Sequence, residues 1–250
     1  MSIGIHGFAR LAGAPLAALV GLLALGSAAA QAPPDLTGAW ERYRGPAGDP
    51  ATPPPESKPP LRAALLKQWE ERRAAEREAD ARGEPIAKGY THCIPEGFPT
   101  MMGGPFPLEI VQSRSQINIA QEAYSQLRRI YLGKPLPKPD DVEAGFYGHS
   151  VGAWQGDTLV VDTVGIKEYV TYRDAPHSPQ LRVHERLHLV KPDILWDELT
   201  FEDPAVLEKP WTVTFAYRRM PNYEIIEYVC EDNREYADDK GVTRLRLQGQ

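Results

Sequence analysis

From about residue 107 onward the chain is a succession of short runs with strand-like alternation, cut by tight-turn signals. "LEIVQS", "QINIAQ" and "QLRRIYL" come first, and "HSVGAW" and "TLVVDTV" flank Gln155-Gly156-Asp157. "LRVHERLHLV" and "ILWDELTFE" flank Lys191-Pro192-Asp193, and "WTVTFAYRR" and "YEIIEYVCE" flank Met220-Pro221-Asn222. Strands joined by such turns must be antiparallel neighbours. With "DLTGAW" (35–40) as an entry strand, nine or ten of them make one meander. A sheet that wide curls, splits in two or closes, and closure removes its exposed edges. The expected fold is therefore mainly β, an antiparallel meander closing into an up-and-down barrel, with a two-sheet sandwich as the alternative.

Alternation assigns the faces. Trp211, Val213, Phe215 and Tyr217 share one side of their strand and are expected inside. In the last run Ile226, Tyr228 and Cys230 take that place. In "LRVHERLHLV", Val183, Leu187 and Leu189 point one way with Glu185 among them, and Arg182, His184, Arg186 and His188 point the other. Taking the apolar face as the inner one puts a carboxylate in the core.

The segment before the meander is different. Residues 44–60 form an extended Pro-rich arm, and 61–82 read as one helix with Leu61, Leu65 and Trp69 as its apolar stripe. Gly83 ends that helix. Residues 83–107 are rich in Pro and Gly, yet Ile94, Phe98, Met101, Met102 and Phe106 are too apolar to leave in water. That segment is expected to be a packed lid loop.

The N-terminus carries an address. One positive charge at Arg10, an apolar run too short for a comfortable span, and small residues at Ala28 and Ala30 make a signal peptide over 1–30. Residues 31–250 then form a single domain, periplasmic or secreted, with no membrane-spanning helix. In an oxidising compartment the two cysteines, Cys93 and Cys230, are expected to pair. A net charge of −6 without a basic block argues against a nucleic-acid partner.

The pieces "LTGAW" (36–40), "CIPEGFP" (93–99), "RRIY" (128–131), "GHSVGAWQGDTLVVDTVG" (148–165), "DPAVLEKPWTV" (203–213) and "EYVCE" (227–231) resemble a large family of uncharacterised exported bacterial proteins. The resemblance spans nearly all of 31–250 and implies export, but it assigns no catalytic residue. "LTGAW" is also similar to the G-x-W entry strand of lipocalin-type barrels, which implies a lipocalin-like closure of the meander.

No phosphate-binding loop, dinucleotide fingerprint, nucleophile elbow or zinc spacing is present, so no cofactor and no metal are expected. What remains is polar residues in apolar surroundings. A core carboxylate must be paired or hold a raised pKa. Glu185 therefore fits either an internal ion pair, with Arg128 or Arg129, or a general acid–base role. His149, His177 and Asp162 are the other proton-carrying candidates, each with a plain structural alternative in local hydrogen bonding. Tyr147 and Tyr172 sit in loops beside the two histidines. They and the two arginines could line a pocket for a small apolar or aromatic molecule. The functional expectation is binding of such a ligand, with metal-free lyase or isomerase chemistry if Glu185 and a histidine converge. The alternatives are a carrier or sensor without turnover, and an envelope interaction protein. The sequence does not fix the oligomeric state.

Overall fold

A computed structural model describes residues 1, 4, 32–88, 93–230 and 235–245. All but two residues of the segment read as a signal peptide lie outside these. Nine strands close into a barrel in chain order. They are β1 (Gly38–Arg42), β2 (Leu108–Gln112), β3 (Gln116–Gln121), β4 (Gln126–Leu132), β5 (His149–Gln155), β6 (Thr158–Val164), β7 (Arg182–Lys191), β8 (Ile194–Glu202) and β9 (Trp211–Met220). β1 closes the ring by pairing antiparallel with β9, Trp40 opposite Arg219.

The meander has one departure. β4 and β5 run parallel, with Ile130 opposite Ser150. The parity of the ring requires it, because an odd number of strands cannot close with every pair antiparallel. The chain between them, 133–148, returns along the outside to begin β5 at the same end as β4. The tight turns follow the expected chemistry. β5 and β6 are joined by Gly156 and Asp157, with Gly156 at φ +65, the conformation that a two-residue hairpin needs at its first central position.

The described residues of "YEIIEYVCE" form no strand. Residues 223–229 are irregular, and Ile226, expected inside, is 64% exposed. Once β9 has paired with β1, no open edge is left for a tenth strand to join. The last described elements, β10 (Glu235–Ala237) and β11 (Thr243–Leu245), pair with each other, and the Thr243 N–H donates to the Pro85 carbonyl (2.7 Å).

Helix α1 (Ala63–Ala81) falls within the expected limits and buries Trp69 and Ala79, while most of the other residues of its second half are exposed. The Trp69 indole N–H donates to the Arg173 carbonyl (2.8 Å), tying the helix to the loop between β6 and β7. The Pro-rich arm lies on the outside of β8 and β9. Ala51 and Tyr43 pack with Ile194 and Ala216 there, and the Trp196 indole donates to the Ala51 carbonyl. Among the described residues no helix is long and apolar enough to cross a membrane.

The lid loop is a plug. Phe98, Met101 and Met102 are fully buried in the barrel end that also holds Gln121, Gln126 and Arg42, and 100–103 form the short helix α2 (Thr100–Gly103). Gly97 stands at φ +73, where an added Cβ would lie 2.4 Å from the Phe146 carbonyl oxygen, so only glycine lets the plug enter here. The Cys93–Cys230 disulfide anchors the start of this segment to the C-terminal chain.

Candidate functional site

The barrel axis is filled by side chains. Ile110, Ile119, Val161, Leu187, Leu199 and Phe215 occupy it at full burial. Among them, toward the plugged end, sits a polar group. Glu185 and Arg128 are both 0% exposed and form a two-toothed pair, Nη1 to Oε1 at 2.7 Å and Nη2 to Oε2. Arg128 also donates to Ser150 (3.1 Å) and Thr163 (3.0 Å), and the Phe98 ring of the plug stacks on the guanidinium 3.6 Å from its centre. Burial of an ion pair is tolerated only with this degree of satisfaction. Glu185 thus faces inward and is used in pairing. Its partner is Arg128, and Arg129 points outward.

The same interior polar groups hold the plug. Gln126 accepts from the Gly97 backbone N–H (2.8 Å), Gln121 donates to the Met101 carbonyl (2.6 Å), and the Tyr217 hydroxyl donates to the Met102 carbonyl (2.6 Å). A chain segment buried without regular structure must find partners for its backbone polar groups, and these three residues provide them.

Among the described residues two interior groups are exceptions: Arg42, whose Nε and Nη1 are buried without a hydrogen-bond partner, and Asp197. Asp197 lies on the inner face of β8, fully buried, and neither carboxyl oxygen has a hydrogen-bond partner. Burial, reinforced by the nearby Glu185 charge, pushes its carboxyl well above the ordinary carboxylate range against the opposing pull of Arg128 and Arg42. The folded state therefore holds this proton more tightly than the unfolded chain does. Its contribution to stability falls as pH rises from the ordinary carboxylate range through the raised folded value. Asp197→Asn removes that slope. The variant is expected to match the parent near pH 3.5 and to exceed it by on the order of 1 kcal/mol above neutrality, measured by denaturant unfolding across pH. Equal stability of the two proteins at every pH would contradict this.

The remaining expected site residues do not meet Glu185. His149 is on the outer face of β5, its ring stacked on Tyr131 with centroids 5.4 Å apart. Asp162 is on the outer face of β6 and pairs with His184, whose other ring nitrogen lies 3.3 Å from Glu202. His177 is in the loop before β7, its Nε2 2.8 Å from the Val170 carbonyl and its Nδ1 3.0 Å from the Ser178 carbonyl. One substrate atom cannot reach the barrel interior, the outer wall and this loop together. Tyr147 is half-buried, and burial raises its hydroxyl pKa. Among the described residues no three His, Cys, Asp or Glu side chains gather so as to hold a metal ion.

A cleft of about 720 Å³ opens outside the plugged end, between α1, the plug and the loop after β6. Its apolar wall includes Ile86, Ile94, Tyr169 and Tyr172. Tyr172 stacks on Phe201 (5.9 Å) and meets Trp211 and Phe215 edge-on or tilted, so its ring is fixed by the barrel core. Its hydroxyl donates to Glu56 (2.7 Å), and burial, followed by this bond, raises its pKa. Most charges of the cleft satisfy one another. Arg73 pairs with Glu76 (2.8 Å) and Asp174 (3.0 Å), Lys88 with the same two carboxylates (3.3 Å each), and Arg173 with Glu56 (3.3 Å). Of the site residues named from sequence, only Tyr172 lies in this cleft. Its other walls come from the plug and helix, whose approach in space no local pattern encodes.

No family model matches the chain, and no curated protein matches it.

Proposed function

We propose that this is an exported protein that binds a small molecule, apolar or aromatic in body, in the cleft at the plugged end of the barrel, without turning it over. One observation carries the reading: the barrel interior is packed with side chains and closed by the plug, while the cleft beside it has the size of a small-molecule site. The wall is preformed, since Tyr172 is locked by three aromatic neighbours and the ion pairs fix the polar rim. A preformed wall lowers the ordering cost of binding. Binding without turnover is favoured over lyase or isomerase chemistry because Glu185 is engaged by Arg128 and the histidines and Asp162 lie elsewhere. The signal-like segment over 1–30 and the disulfide support export.

Tyr169 offers the test, because it lines the cleft at 57% exposure and its removal should leave the fold intact. Native mass spectrometry of the protein purified from its own host is expected to show an additional small organic mass. Tyr169→Ala is expected to lose at least half of that occupancy while keeping the parent melting temperature. An organic mass retained undiminished in Tyr169→Ala, or none in the parent, would overturn the reading.

A further inference from the structure

The cleft is not electrically neutral. Among the described residues its lining carries four carboxylates, Glu56, Glu76, Glu96 and Asp174, against three cations, Arg73, Lys88 and Arg173. Glu56, Glu76 and Asp174 are each bonded to at least one of those cations. The fourth, Glu96, has no such partner. It sits in the plug three residues after Cys93, half-buried, its Oε2 3.8 Å from where a Cβ on Gly104 would stand. Burial without a compensating charge holds its carboxyl above the ordinary range. Among the described residues the site therefore offers one carboxyl without a cationic partner, in a cleft also lined by the exposed aromatic ring of Tyr169.

A recessed carboxylate is costly until a cation meets it, and the faces of tyrosine rings attract cations as well. An anion or a second carboxylate would face the same unpaired charge with repulsion, and a neutral ligand would leave it unmet. We infer that the ligand of this cleft is a small organic monocation, an ammonium group on an aromatic or branched apolar body, with Glu96 as its counter-ion. This rests on the cleft being the binding site.

The test uses the full chain and three probes of similar size: phenethylammonium, phenethyl alcohol and phenylacetate, each titrated by calorimetry. Phenethylammonium is expected to bind at least ten-fold more tightly than the other two. Glu96→Gln is expected to weaken phenethylammonium at least ten-fold and to leave phenethyl alcohol within two-fold, with an unchanged or raised melting temperature. The neutral probe in the variant thus separates loss of charge recognition from loss of the cleft. If phenethyl alcohol or phenylacetate binds as tightly as the cation, or Glu96→Gln leaves the cation's affinity unchanged, the cation assignment fails while the cleft stands. If no probe binds, the cation assignment fails too, and the copurified mass in the Tyr169→Ala comparison judges the cleft on its own.

Discussion

Arg128→Met is expected to cost about 3–5 kcal/mol of folding stability, because it leaves the Glu185 carboxylate buried and uncompensated. A domain of this size has roughly 5–15 kcal/mol in total, so the single variant should unfold far earlier in denaturant or be recovered in poor yield. The same substitution also removes the donor to Ser150 and Thr163 and the cation beneath Phe98. The plug should therefore loosen with the core. The double variant Arg128→Met, Glu185→Met removes both charges and is expected to regain most of the loss, since an apolar pair of similar volume replaces a buried ion pair at little cost. Unfolding curves for the parent, both single variants and the double form a cycle. A single-variant loss below about 1 kcal/mol would mean that Glu185 is reached by solvent or by another cation.

The second large effect is at the disulfide. Cys93 and Cys230 are 137 residues apart, so the bond closes most of the barrel into one loop. The chain-entropy argument gives up to about 5 kcal/mol for such a closure, less whatever structure the reduced unfolded chain keeps. Cys93→Ser, Cys230→Ser is expected to lower the melting temperature by roughly 10 °C or more. The plug should be the part most affected, since the bond anchors it to a C-terminal segment that pairs with no barrel strand. Thermolysin cleavage on the N-terminal side of Met101 or Met102 before global unfolding would show that. A double variant as stable as the parent would mean that the plug's hydrogen bonds to Gln121, Gln126 and Tyr217 suffice without the bond.

Period-two alternation carried the fold a long way. The inner faces of β7 and β9 follow from it, and so does the burial of Glu185. The same alternation places Asp197 beside Leu195, Leu199 and Phe201 on the inner face of β8, a signal as legible as that of Glu185 but not drawn from the sequence. The parallel pair β4–β5 and the absence of a strand at 223–229 follow from closure of the ring, a global condition that no local run reports. The cleft was least legible. Glu96 stands out only as a carboxylate in a Pro- and Gly-rich apolar loop, and its lack of a partner depends on where α1 and the loop after β6 come to rest. In sequence His149 and His177 look alike, as histidines at a strand end and in a connection, and Asp162 stands as a carboxylate within an apolar strand. The pleat sends His149 and Asp162 to the outer wall, and backbone carbonyls surround His177.

The central claim is that the barrel is a filled core and that the ligand lies outside it. Isoleucine δ1-methyl NMR separates the two places with one label. Ile86 and Ile94 line the cleft, and Ile117, Ile119 and Ile130 are buried in the barrel. On addition of phenethylammonium or phenethyl alcohol, whichever binds, the signals of Ile94 and Ile86 are expected to shift while those of Ile117, Ile119 and Ile130 stay in place. Shifts confined to the three barrel methyls would contradict the account and put the ligand inside the barrel.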